Sequence, residues 1–474
     1  MFSKKIENNK AKIKKVFKED KNLIYREFKT ANNKKALLVF FENLTNAELI
    51  AKTVIAPIIQ CEVQEAQDCL NCIASGEVSE LKKFEDVTSS LLQGSALLFV
   101  EDCDFCIEIV VQQWDKRPIM EPPTSAVLKG PREGFTESIK TNVTLLRRRL
   151  NTPKLVIKNL TVGSITNTQI AVMYIDGVAD HHVVKEVLKK LKNIKIDGII
   201  DSFYIAQFLE EKKDSLFKQI GNSEKPDIVS AKMLEGRIAI VVDGSPIVLT
   251  VPFVLLEDLQ SADDYYSRSY RAVIMRIIRF IGVLIAVLLP GTYVAVQVYH
   301  YRVIPLKFLV TIVNSTQGLP MTPLVETIFV IILFEILYEA SLRMPRYLGM
   351  ALSIVGALIL GDTAVKAGLI SPPSVMIVAL SGITFYTVPE QSIQLTVLRI
   401  FFTLVGGTMG FFGIISGIFF IVTLMCDMDS YGAPYLAPYA PYIKEDQKDF
   451  LFKQNVVGMK TLPRSIPNEK VRRN

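Results

Sequence analysis

The sequence predicts an α/β N-terminal region of two subdomains followed by an α-helical transmembrane bundle. Two observations carry this. As far as about residue 270, short apolar runs bounded by turn residues alternate with amphipathic stretches, the pattern of small α/β units. Near Arg271 the chain changes solvent: Phe280 to Tyr299 carries no charge, and twenty such residues are enough to cross a bilayer core. A length of 474 residues and an apolar fraction of 50% suit two or three domains with a membrane part better than a soluble enzyme.

These shifts divide the chain into a basic flexible N-terminus (1–34), a first α/β subdomain (35–113), a Pro/Gly-rich linker (114–134), a second α/β subdomain (135–270), a transmembrane helical domain (271–426) and a cytoplasmic C-terminal tail (427–474). The net charge of +6 crowds at the ends, from Lys4 to Lys18 and from Lys460 to Arg473. Flexible solubilising ends beside an anionic leaflet fit this better than nucleic-acid binding. No apolar signal core follows Met1, and Arg271, Arg276 and Arg279 precede the first span, so the N-terminal region is expected in the cytoplasm.

In the first subdomain, Ala36 to Phe41 reads as a buried strand, and Asn46 caps a helix to Ile55 that Pro57 interrupts. Helices are expected at Val63 to Ala74 and Ser79 to Leu92. A hairpin is expected from Ala96 to Val111 around Glu101-Asp102-Cys103-Asp104. In the second, Leu155 to Leu160, Ile170 to Ile175 and Ile196 to Ile200 read as strands. Asp180, Asp201 and Pro226 open helices, and Asp243-Gly244-Ser245-Pro246 turns a hairpin between Arg237 and Val251.

Six cysteines include two C-x-x-C pairs, Cys69/Cys72 and Cys103/Cys106. Zinc would need turn geometry at both pairs, yet the first lies in a helical stretch. Small, partly buried thiols in a reducing compartment are the better reading, and the location argues against disulfides. Phosphate-binding, dinucleotide-binding and nucleophile-elbow motifs are missing, so neither enzyme activity nor a cofactor is expected. His181 and His182 are adjacent and point about 100° apart on a helix, so they chelate one metal poorly. His300 reads as an interfacial residue.

In the membrane half, the first span holds Pro290-Gly291, a break tolerated where neighbours satisfy the freed backbone groups. Val303 to Pro320 is short and amphipathic, interfacial or re-entrant. Further spans are Leu324 to Leu342 with Glu326, Glu335 and Glu339, Tyr347 to Ile370, Pro372 to Pro389, and Ile400 to Cys426. Glu339 can pair with Arg343, and Asp362 with Lys366 is expected as an internal ion pair. Ser353, Gly356, Leu360 and Thr363 form a small or polar stripe at helical spacing, and these with Asp362, Lys366 and Glu335 are the candidate pore and ion-path residues. Gly406, Gly410, Gly413 and Gly417 suit close helix packing. Five spans would leave the basic tail outside; an even count with both ends cytoplasmic is preferred.

The linker joins Arg117, Glu121, Pro122 and Pro123 to Gly130, Pro131, Arg132, Glu133 and Gly134, a stiff arm whose charges suit an ion-pair clasp or subunit contact. Its run EPPTSAVLKGPREGFTESIKTNVTLLRRRL resembles the signature of the A subunits of bacterial spore germinant receptors, the GerA family. EGRIAIVVDGSPIVLTVPFVLLEDLQSADDYY, RYLGMALSIVGALILGDTAVKAGLISP and YGAPYLAPYAP are similar to the family too, so the resemblance spans nearly all of the chain from about residue 35. It implies a non-enzymatic subunit of the spore inner membrane that works with a transporter-like B subunit and a lipoprotein C subunit. It also implies assembly as a homo-oligomer, in this family a pentameric ion channel. The VEDCDFC hairpin departs from the family's cysteine-free form. A sporulation paralogue acting with the dipicolinate channel, an ion or small-solute transporter, and an anchored scaffold are the alternatives.

Overall fold

The computed structural model describes residues 2–17, 20, 22–61, 68, 70, 72–111, 129–343, 356 and 359–469. The expected helix at Val63 to Ala74 falls largely outside these, as do Cys69, Arg117, Glu121, Pro122, Pro123 and Ser353.

The first unit is built on a five-stranded sheet of order β1-β2-β4-β5-β3, with β1 Leu23–Lys29, β2 Lys35–Phe41, β3 Val78–Leu81, β4 Ser95–Val100 and β5 Cys106–Val110. Every pairing is antiparallel. One face carries α1 (Ile6–Val16) and the helix Phe84–Leu92, through Ile6, Ile13, Val87 and Leu91. The other carries a helical run through α2 (Ala47–Ile50), the wider turn Ala51–Ile55 and α3 (Ala56–Gln60). Asn46 caps that run by accepting the Leu49 N–H. Pro57 does not stop it: the proline cannot donate to the Thr53 carbonyl, and the Ala74 N–H does so instead, at 3.0 Å.

Residues 2–17 and 22–34 are therefore not a flexible end. The lysines of α1 point outward while Phe2, Ile6, Ile13 and Phe17 join the core, and β1 is a charged edge strand, which suits an unpaired margin. Ser79 to Leu92 is likewise corrected: Val78–Leu81 pairs with β5, and the helix α4 begins only at Phe84.

The second unit repeats the strand order of the first, again with helices on both faces of the sheet. Its sheet order is β6-β7-β9-β10-β8, with β6 Leu155–Val162, β7 Thr168–Ile175, β8 Gly221–Ser223, β9 Ile238–Val242 and β10 Val248–Val251. Helices α5 (Ile139–Arg149) and α8 (Pro226–Leu234) cover one face, and α6 (His181–Lys192) and α7 (Ser202–Leu209) the other. Asp180 and Asp201 cap α6 and α7 as expected. Ile196 to Ile200 is not a strand, because its carbonyls accept the N–H groups of Ser164 and Ile165 in the loop after β6. The units meet at α5. Arg147, buried, pairs with Asp20 and stacks 4.3 Å from the Phe41 ring, and Thr144 donates to the Asn43 carbonyl at 2.9 Å.

The helical half holds α9 (Ala262–Tyr266), α10 (Ser269–Tyr299), α11 (Leu306–Thr316), α12 (Pro323–Arg343), α13 (Pro372–Phe385) and α14 (Ser392–Cys426). Among the described residues two helical stretches, Ser269–Tyr299 and Pro389–Cys426, are long and apolar enough to cross a membrane. A straight helix of 35 residues would reach about 50 Å. Yet the two ends of α14 lie at the same place. Gln391 donates to Asp258 at 2.5 Å and Lys212 pairs with Asp427, both on the second unit. The chain reverses at Gly410 (φ 62°, ψ −146°), beside Tyr299 and His300 at the far end of α10. Phe402 on one arm then packs against Gly417 on the other. The expected single span Ile400 to Cys426 is thus a helical hairpin. Arg399 and Leu395, placed before that span, belong to its first arm.

Candidate functional site

Pro290 sits inside α10 and leaves the Ala286 carbonyl without its helical donor. The Ser381 hydroxyl of α13 donates to it at 2.8 Å. Gly291 follows, and there the backbone of α14 comes so close that a Cβ would lie 2.3 Å from the Phe402 carbonyl oxygen. A Cβ on Gly406 would lie 2.5 Å from the Gly291 oxygen, so two glycines make one crossing.

From Ser381 a polar chain runs through the apolar helices. Arg399 of α14, buried, donates to the Ser381 hydroxyl at 3.3 Å, stacks 4.4 Å from the Phe385 ring and pairs with Glu335 of α12. Thr396 also donates to Glu335, at 3.2 Å. Nearer the far end, Glu326 is buried and accepts both the N–H and the hydroxyl of Ser371 (2.6 and 2.7 Å), at the start of α13. Tyr293 of α10 lies 3.4 Å from Ser374 beside it.

A second cluster joins this half to the second unit. Asp264 of α9 accepts from Arg276 (3.1 Å) and Arg279 (2.7 and 2.9 Å), and Arg276 also reaches Asp449 of the C-terminal segment (3.2 Å). Burial disfavours the Asp264 carboxylate, but Arg279 and Arg276 hold its pKa below the usual range. Behind it, Glu257 bridges Arg237 and Lys232, each at 2.7 Å. The C-terminal segment is not a free tail either. Ser430 accepts the Phe253 N–H (3.0 Å) and donates to the Gln219 carbonyl (2.9 Å), and Asn468 bridges to Ala179.

Several expected site residues land elsewhere. Gly356 faces α12, where a Cβ would come 2.9 Å from Leu337, whereas Thr363 is exposed. Leu360 lies in the wide turn Ile359–Ala364, where the backbone runs at a longer period than an α-helix. Asp362 and Lys366 do pair, at 2.8 Å, but on the surface of the chain rather than internally, because no other described helix covers that face. Glu339 pairs with Arg343 as expected.

In the linker, Glu133 clasps Arg148 and, at 2.6 Å, Arg149. Gly130 (φ 117°) lies against the Tyr266 ring, leaving no room for a Cβ, with Pro131, Arg132 and Gly134 following it over the second unit. Gly413 and Gly417 pack the two arms of α14, and Gly410 is the reversal itself.

Among the described residues, the cysteines do not assemble a ligand set. Cys72 is joined to Cys61 by a disulfide, correcting the expectation that none forms; the two Cα atoms stand 6.5 Å apart, within disulfide reach. Cys106 is buried, which pushes its thiol up, and Cys103 faces the Glu101 carbonyl.

The family profile described as Bacillus/Clostridium GerA spore germination protein matches residues 11–465. The chain belongs to the GerA family. Among GerA-family relatives, spore germination protein KA of Bacillus subtilis (strain 168) is 36% identical over 478 residues, 99% of this chain and 88% of that protein. The uncharacterized membrane protein YfkQ of the same organism is 33% identical, covering 91% and 85%. The crystal structure of the N-terminal domain of the A subunit of the Bacillus megaterium spore germinant receptor GerK3 is 29% identical with a TM-score of 0.40, covering 53% of this chain and 97% of that one.

Sequence reasoning missed Arg399 and the Asp264 cluster in this GerA chain. A lone arginine seven residues after Ser392, inside an apolar stretch, was a usable signal for the first. Asp264 offered none, since its two arginines lie in the next helix.

Proposed function

We propose that this GerA-family chain is the A subunit of a nutrient germinant receptor of the spore inner membrane. In this reading its sheet-bearing units are cytoplasmic. The α10, α12, α13 and α14 helices cross the bilayer, and copies of the chain assemble, as a pentamer, into an ion channel. A transporter-like B subunit recognises the nutrient, a lipoprotein C subunit completes the complex, and the subunit itself catalyses nothing. The observation that carries the channel reading is the Arg399–Glu335 pair inside an apolar helical domain. Ionisable groups held at such depth mark ion paths or their scaffolding, since an anchor has no use for their desolvation cost. The basic residues Arg268, Arg271, Arg276 and Arg279 at the near end of α10 support the cytoplasmic orientation.

Ion flux tests this in liposomes holding the chain alone and with its B and C partners. Nutrient-dependent conductance is expected only with the partners. Leu360→Ala and Thr363→Ala should change its magnitude, and Arg399→Met should lower or abolish it. Oligomers that are folded by size and spectroscopy yet silent in every combination would refute the channel and leave a scaffold.

A further inference from the structure

We propose that α11 is an amphipathic helix lying along the far leaflet of the bilayer, at the boundary between anionic headgroups and acyl chains. The inference rests on the membrane reading and adds a lipid-binding surface to it. Both ends of α11 are held at the far end of the bundle. Just before it, Tyr299 donates to the Thr408 carbonyl near the α14 reversal (2.7 Å), and just after it Leu324 packs on Gly407. The twenty uncharged residues of α10 reach about 30 Å, the thickness of the hydrocarbon core, so α11 emerges at headgroup level.

Its sequence separates three faces. Lys307, Thr311 and Asn314 share a polar face. Ile312 is buried against the rest of the chain. Leu306, Val310 and Val313 share a third face and are 75%, 50% and 52% exposed. An apolar face left uncovered at that depth, about 100° around the helix from a polar one, suits a helix embedded a few ångströms into a leaflet. Tyr299 and Tyr301, half exposed beside it, are interfacial residues by type, and Arg302 and Lys307 suit anionic headgroups.

The test uses the full chain in vesicles of phosphatidylglycerol and phosphatidylcholine. A fluorescent amino acid replaces Val310, Thr311 or, as a control inside the hydrocarbon core on α10, Leu284. Spin labels near the headgroup should quench the probe at Val310 more than mid-chain labels do. Aqueous iodide should quench it at Thr311, and mid-chain labels at Leu284. A probe at Val310 quenched by iodide, or quenched most by mid-chain labels, overturns the proposal in favour of a protein-docking or a re-entrant helix. If Leu284 escapes lipid quenching, the membrane reading itself fails. Val313 serves as a second site should the Val310 variant not fold.

Discussion

At the scale of single residues, this protein places its arginines where they must be matched. Arg147 joins the two units through Asp20 and the Phe41 ring, and Arg399 lies on Phe385 with Glu335 as its counter-ion. In each case the ring covers the guanidinium face while the carboxylate meets its edge, which lowers the cost of burying the charge. Glu257 is matched in turn by two cations, Arg237 and Lys232. Burial alone would raise that carboxyl, but the two cations overcome it and hold it at about 2, down from the ordinary 4.5. A depressed acid contributes stability above its unfolded pKa and loses it as pH falls through the folded one. The second unit should therefore lose about 3 kcal/mol as pH falls from about 4.5 towards 2. Denaturant unfolding followed across this range should show Glu257→Gln less stable at neutral pH and flatter towards acid. An identical pH slope in the variant would mean that other carboxyls govern the acid transition.

At the scale of elements, the α10–α14 crossing depends on glycine for closeness rather than for flexibility. Gly291 and Gly406 bring two backbones within contact, and Pro290, one residue before, frees a carbonyl that a neighbouring serine takes up. Gly291→Ala should destabilise the helical domain by about 1–3 kcal/mol, since the clash is with backbone and neither helix can yield without moving as a whole. Gly361→Ala, with nothing within 4 Å of the added carbon, is the control. Thermal unfolding in detergent should show a lowered midpoint for the first and none for the second; equal midpoints would mean that the crossing is looser than the structure has it. Element reading from sequence succeeded where the physics is local. The caps Asn46, Asp180 and Asp201 and the hairpin at Asp243 lie where they were expected, because each acts over three or four residues. It failed at β1, β3 and β8, short or charged strands that exist only because a neighbour offers an edge.

At the scale of the whole molecule, the reversal at Gly410 decides the topology. It returns the chain to the second unit, where Asp427, Ser430 and Asp449 are held. Ser371, which opens α13, is bonded to Glu326 near the start of α12. The second unit and the described part of the C-terminal segment therefore lie at the same end of the helical domain. In proteoliposomes, a membrane-impermeant maleimide should label cysteines at Lys185 and at Val457, 88% exposed, from the same side, and one at Arg302 from the other. Val457 labelling together with Arg302 would overturn this arrangement.

The sequence by itself determined the change of solvent near Arg271, the two α/β units, the membrane-length apolar stretches and the family, because composition, capping and periodicity act within a few residues of chain. The tandem repetition of the two units, the ordered N-terminal helix and strand, the partner of Arg399, the surface position of Asp362 and Lys366, and the turning back of α14 were decided only by the tertiary structure. Each is a matter of which distant segment covers which face, and a glycine that reverses a helix reads in sequence just like one that packs it.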